Sequence, residues 1–223
     1  EWRTDLDATP RLNRAVRDWS SSYFRALKAH GIEAAAAFSM ELQHGDPSPE
    51  AGIAQRFADG TPCLLNTPAL QTNFSPASRD YWKQVHAEMA AIMSGAGQVP
   101  YLQFGEVQWW YFPWRWDAGL PSPAWVDAAS MPYYDAYTQT AFQQRYGRTM
   151  HVFLSNQEAP AFYPEECEFL SSLIGQFTTD VMDFVRQSHP HARFEVLYPT
   201  DVNEPPLNQA VNLPAAWSGA TLD

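Results

Sequence analysis

The sequence predicts an α/β chain, a (β/α) barrel of the TIM type that is incomplete or degenerate, and three observations lead there. Helix and strand patterns alternate along the 223 residues, as βαβ units and a parallel sheet require. The stretches that follow the strands are long and rich in acids, amides and aromatics, as expected where barrel strands carry chemistry at their C-terminal ends. No GxGxxG or GxxxxGK[ST] follows a strand, so a dinucleotide or P-loop fold has no support.

Each element has a local reason. Leu12, Val16, Trp19, Tyr23 and Leu27 recur at spacings of three and four, the buried stripe of a helix that Gly31 ends. An apolar run from Ile32 to Leu42 reads as a strand, and Gln43 to Phe74 as a long loop. Ser75 is an N-cap with Pro76 in the first turn, and Tyr81, Val85, Met89 and Ile92 form that helix's inner face. Val99 to Glu106 is a short strand. An aromatic loop follows, Trp109 to Trp125, and then a helix from about Pro132 to Tyr146. Met150 to Leu154 reads as a third strand. A long helix starts near Pro164, with Phe169, Leu173, Phe177, Val181 and Phe184 on one face. Phe194 to Tyr198 is the fourth strand. Four strands fall short of the eight of a full barrel, so either strands hide in the loops or the chain is part of a larger barrel.

Length and composition fit one domain over residues 1–223, with 45% hydrophobic and 17% charged residues. A chain that starts at Glu1 with no signal-peptide pattern is expected to be a processed product or an excised piece of a larger protein. The net charge of −11, from 14 basic and 25 acidic side chains, argues against nucleic acid, whose phosphates need clustered Lys and Arg. No apolar run is long enough to cross a membrane. Cys63 and Cys167 lack the spacing of a zinc site and read as buried free thiols, and the six histidines show no ligand pattern. No cofactor or metal is expected. The chain carries 9 Trp, 10 Tyr and 13 Phe, many of them in polar, proline-rich stretches. Such rings either stack a flat, partly apolar ligand such as a sugar or plug loops onto the scaffold.

The strongest local signal is Phe104-Gly105-Glu106-Val107-Gln108-Trp109-Trp110. It puts a carboxylate at the C-terminal end of an apolar strand, where a barrel gathers its site. Burial against aromatic rings raises a carboxyl pKa and suits a general acid. Glycoside cleavage needs two carboxyls, about 5–5.5 Å apart for retention and about 6.5–9.5 Å for inversion. The candidate partners are Glu41, ending the first strand, and Asp201 or Glu204, beyond the last. Gln108, Trp109, Trp110, Trp114, Asn156, Tyr198 and Asn203 would line a sugar cleft. Any one of these residues also reads as ordinary loop packing or a solvated acid.

Asn66-Thr67-Pro68 through Ser75-Pro76, then Asp80-Tyr81-Trp82, Gly97, Pro100 and Phe104-Gly105-Glu106 resemble retaining glycosidases of the (β/α)8 class, over roughly residues 31–116. The stretch is also similar to the glycosidase-like barrel domains of phage tail proteins. That resemblance implies Glu106 as proton donor. It also implies an Asn before the donor, where this chain has Gly105, and a nucleophile three strands later, beyond the strands visible here.

Two readings follow. One is a glycoside hydrolase-like barrel that binds or cleaves carbohydrate in a Trp-rich cleft, with Glu106 as acid/base. The other is a non-catalytic carbohydrate-binding or structural module of a phage-tail-like assembly. A second carboxylate within reach of Glu106 separates them.

Overall fold

A computed structural model of the chain describes residues 4–65, 69–117, 121–122 and 124–222. Its centre is a parallel sheet of β1 (Ala36–Ser39), β4 (Tyr101–Gly105) and β7 (Arg193–Leu197), in that spatial order. Antiparallel pairs are made by β2 (Glu41–Gln43) with β3 (Ala69–Gln71), and by β5 (Phe112–Asp117) with β6 (Ala124–Ser130). The helices are α1 (Arg14–Ala29), α2 (Pro76–Gly95), α3 (Ala136–Tyr146), α4 (Pro164–Ser188) and α5 (Pro206–Asn212). Strands and crossover helices alternate as in a TIM-type barrel, but among the described residues the sheet does not close on itself.

The two sheet faces differ as an open barrel dictates. Phe38, Phe104 and Phe194 turn to the helical side, where Phe38 and Phe104 pack on His86 of α2 and Phe104 stacks on Phe194. His86 is fully enclosed. Burial pushes its pKa down to about 4, and its Nδ1 lies 2.8 Å from the Trp82 carbonyl, so it is a neutral core histidine. On the opposite face Glu195 accepts hydrogen bonds from the Tyr101 hydroxyl and from Gln103 Nε2. A closed barrel would seal that face inside. Here it is half-open and correspondingly polar.

Capping follows the sequence. Asn13, Ser75 and Asp135 each accept from a first-turn amide of α1, α2 and α3, leaving fewer orphan N–H groups at those ends. Gly31, beyond α1, and Gly147, beyond α3, take positive φ angles of 68° and 72°.

Four expectations need correction. The apolar run at residues 32–42 is two strands, because the chain bends at Met40 and β2 leaves the parallel sheet to pair with β3. That places a strand and several bridges inside the expected loop of residues 43–74. The expected aromatic loop is largely the β5–β6 hairpin. Met150–Leu154 is not a strand, because side chains take its amides. The amide of His151 donates to Glu166, that of Phe153 to the Tyr134 hydroxyl, and those of Leu154 and Ser155 to Glu158. A backbone satisfied this way has no donors left for a ladder.

The fourth concerns α1. It buries Ser20 and Phe24, whereas Val16, Trp19 and Tyr23 of the expected inner stripe stay exposed. Among the described elements the helix packs mainly on α2, and that neighbour selects which flank is covered.

Candidate functional site

Register brings the polar strand ends together. Ser39 lies opposite Gly105, and Gly105 opposite Leu197. Glu41, Glu106 and Tyr198 therefore leave the same end of three neighbouring strands, each spaced about 4.8 Å from the next. This is the C-terminal end, where a TIM-type barrel builds its sites.

Glu41 and Glu106 are electrostatically coupled. Burial raises the Glu41 carboxyl above the ordinary glutamate value, and the negative charge of Glu106 raises it further. Gln71, which the sequence reading missed, and Cys63, expected as a buried free thiol but not as a neighbour of the carboxyls, complete this corner. Gln71, opposite Glu41 in the β2–β3 pair, is buried and directs Nε2 toward the Glu41 carboxylate at 3.5 Å. Its own Oε1 is buried with no partner among the described residues. Cys63 is a buried thiol whose pKa is pushed up, by burial first and then by the charge of Glu41. A thiol held protonated in this way is no nucleophile. The only local signals were two short apolar runs inside a polar loop, Cys63-Leu64-Leu65 and Ala69-Leu70 just before Gln71.

The backbone at Gly105-Glu106 is under specific constraint. Glu106 has a positive φ of 57°, the left-handed region that few residues other than glycine adopt. At Gly105 a Cβ would lie 3.1 Å from the Phe38 carbonyl oxygen of β1. The asparagine that glycosidases carry before the acid would need β1 to move. Gly105 thus permits a close approach of two strands that a Cβ would force apart by a few tenths of an ångström.

The remaining expected residues divide. Trp109 does not line a cleft and is corrected to the core. It is 0% exposed, packs edge-on against Phe74 and Tyr133, and donates its indole N–H to the Leu170 carbonyl. Gln108 and Asn203 are likewise buried, in a chain of amides that ties the loop after β4 to the loop after β7 and to α5. Asn203 Nδ2 donates to Gln108 Oε1 at 2.9 Å. Asn212 Nδ2 donates to Asn203 Oδ1 and to the Trp109 carbonyl, and the Trp109 amide returns a bond to Asn212 Oδ1 at 2.7 Å. Buried amides bonded to one another in this way hold loops in one arrangement, although Gln108 Nε2 has no partner among the described residues.

Tyr198, Asp201, Asn203 and Glu204, with Thr200 and Gln209, line a polar cleft of about 430 Å³ beyond β7. Asp201 and Glu204 are exposed there, and burial raises the Tyr198 hydroxyl. Trp110 and Asn156 are half-buried, and the Asn156 carbonyl accepts the Leu207 amide. The side chain of Trp114, in β5, lies outside the described residues, as do Asn66, Thr67 and Pro68. No group of three or more His, Cys, Asp or Glu side chains that could hold a metal occurs among the described residues.

A parallel α/β sheet with crossover helices and a polar, carboxylate-bearing C-terminal edge fits the TIM-barrel class, with the barrel not closed among the described residues. Residues 3–223 match the family described as "Non-contractile tail sheath protein TIM barrel", and the chain belongs to it. Among solved structures, the catalytic domain of a β-amylase from Paenibacillus polymyxa is similar with a TM-score of 0.48 and 12% identity, over 79% of this chain and 53% of that one. The chain thus spans about half the length of that domain, and the likeness is too distant to carry an argument about chemistry. No curated protein matches the chain.

Proposed function

We propose that this chain is an architectural module of a non-contractile phage tail, held in the tail as one repeated unit of the sheath. The match of residues 3–223 to the tail-sheath barrel family carries this reading. The burial of Trp109 and Gln108 agrees with it, because two of the side chains expected to line a sugar cleft are packed inside the molecule. Immunogold labelling of purified tails with an antibody to this chain tests it. Label distributed along the tail is expected, and tails without label overturn it.

A second reading rests on one observation, the coupling of Glu41 to Glu106. Glycoside cleavage uses a pair of carboxyls, and Glu41 and Glu106 stand at the same end of the sheet, with the Glu41 carboxyl raised by burial and by the charge of Glu106. On this reading the strand-end cleft binds carbohydrate, with Glu41 keeping its proton to higher pH than an ordinary glutamate. The assay uses 4-nitrophenyl glycosides and a peptidoglycan digest, with wild type beside Glu106→Gln. Turnover lost in the variant supports hydrolysis. Binding retained without turnover supports a lectin-like cleft, and neither binding nor turnover ends the carbohydrate reading.

A further inference from the structure

Beside the Glu41–Glu106 corner lies a row of side chains whose oxygens are not all accounted for. Gln71 is paired across β2–β3 with Glu41. On its other side the bridge between Ala54 and Thr72 sets Gln55 next to it, and the Gln55 amide donates to the Gln71 carbonyl at 2.8 Å. Directly opposed residues of antiparallel strands share a face, so Glu41, Gln71 and Gln55 form one row. Gln71 is 1% exposed and Gln55 0%. The Oε1 atoms of both are buried with no partner among the described residues.

A buried acceptor without a donor carries the full cost of its lost water, and the Gln71 amide shows how both oxygens can be satisfied. Its Nε2 stands 3.5 Å from Glu41 Oε1, the outer limit of a hydrogen bond. Turning the amide about its last bond exchanges O and N without a change of shape. Nε2 then points to the side of Gln55, whose Oε1 lacks a donor, and Oε1 takes the place 3.5 Å from the Glu41 oxygen. Two oxygens so placed repel each other unless a positive charge lies between them. Their spacing is that of neighbouring ligands on calcium, since bonds of about 2.3–2.6 Å at right angles put two oxygens about 3.3–3.7 Å apart. Glu106 brings a second carboxylate to the same end of the sheet, and its charge acts on Glu41 with no offsetting cation among the described residues. No third acid, His or Cys groups with them there, which leaves the amide oxygen as the third ligand.

We propose that Glu41, Glu106 and Gln71 bind one calcium ion, with Gln55 holding the Gln71 amide turned toward it. Calcium accepts carboxylate and amide oxygens in a flexible shell of about six to eight, whereas magnesium demands a tighter octahedron and keeps its water. Two carboxylates and one amide oxygen supply up to about five of those ligands, and water completes the shell. The ion joins the β2–β3 pair to the end of β4, so it fastens the small sheet to the central one. The site goes beyond both readings above, because it needs neither a sugar nor a neighbouring copy of the chain.

Calorimetric titration of the whole, chelator-treated chain with calcium chloride at neutral pH tests it, beside thermal melts in EDTA and in calcium. One equivalent is expected to bind and to raise the melting temperature, because a ligand held only by the folded state stabilises it. Magnesium chloride should bind at least about tenfold more weakly. Glu41→Gln and Glu106→Gln should each weaken calcium by about tenfold or more, since each removes a ligand charge. Gln71→Met keeps the buried volume and removes the amide oxygen, so it should weaken calcium too, and circular dichroism in EDTA verifies that all three variants fold. The absence of both heat and a melting shift at millimolar calcium overturns the proposal. So does calcium binding that survives all three substitutions, since the ion would then lie elsewhere. A melting shift matched by sodium chloride at equal ionic strength overturns it in favour of charge screening. A Glu41 carboxyl that titrates identically with and without calcium overturns it in favour of a proton held between Glu41 and Gln71. Calcium binding by a chain that binds no sugar and labels no tails would support this site and remove those readings alone.

Discussion

Glu106 follows β4 and Glu41 opens β2 just beyond the neighbouring β1, at the same end of the parallel sheet, and burial, with the charge of Glu106 added, raises the pKa of the Glu41 carboxyl. Glu106→Gln removes that charge, so the Glu41 pKa should fall toward the ordinary glutamate value while the part due to burial remains. A carboxyl-carbon NMR titration of both proteins reads this directly, and an unchanged Glu41 would show that the two are not coupled.

The same shift has a consequence for stability. A carboxyl raised by folding contributes fully at acid pH, and its contribution is lost as pH rises through its folded pKa. Glu41→Gln should therefore raise the melting temperature at pH 7, with the difference closing toward pH 4. Thermal melts across that range check it, and a gain that persists at acid pH would contradict the assignment.

Gly105→Ala forces a methyl to 3.1 Å from the Phe38 carbonyl oxygen, between two paired strands. Overpacking of this kind costs about 1–3 kcal/mol. Urea unfolding should show the midpoint fall by a corresponding amount, with Gly105→Asn worse again.

Trp109→Ala should behave as a core deletion, costing about 3–5 kcal/mol. Its fully buried ring and its bond to the Leu170 carbonyl are both lost. Trp110→Ala, half-buried on the adjoining position, should cost less. Equal losses in urea would mean that Trp109 is not the anchor of this loop.

Arg148 grips Glu165 and the buried Glu166, and Glu166 also accepts the His151 amide. Burial works to raise the Glu166 carboxyl, but these hydrogen bonds overcome it and bring its pKa below the ordinary value. A depressed carboxyl stabilises above its unfolded pKa, and that stability is lost as pH falls through the folded pKa. Arg148→Met should cost about 1–3 kcal/mol at neutral pH, with the deficit shrinking below pH 4. A deficit independent of pH would assign the loss to packing.

Much of the secondary structure was legible because its causes are local. Ser75 and Pro76 mark the start of α2 from three residues of context, and the apolar run before Glu106 marks β4. Met150–Leu154 misled because its composition is that of a strand, while Glu158, Glu166 and Tyr134 take its amides from elsewhere in the chain. Trp109 misled for a related reason. Once the chain turns at the left-handed Glu106, the two-residue alternation of the strand no longer tells which side chains face the core.

By itself the sequence determined the alternation of helices and strands, the parallel sheet, and Glu106 at a strand end, since periodicity and capping act over one or two turns of chain. Tertiary structure alone decided that Glu106 is the charge that raises the Glu41 carboxyl, that a side chain at Gly105 would press on β1, and that α1 leaves Trp19 in solvent. Each of those depends on which segments, distant in sequence, lie within a few ångströms of one another, and strand register and helix packing set that distance.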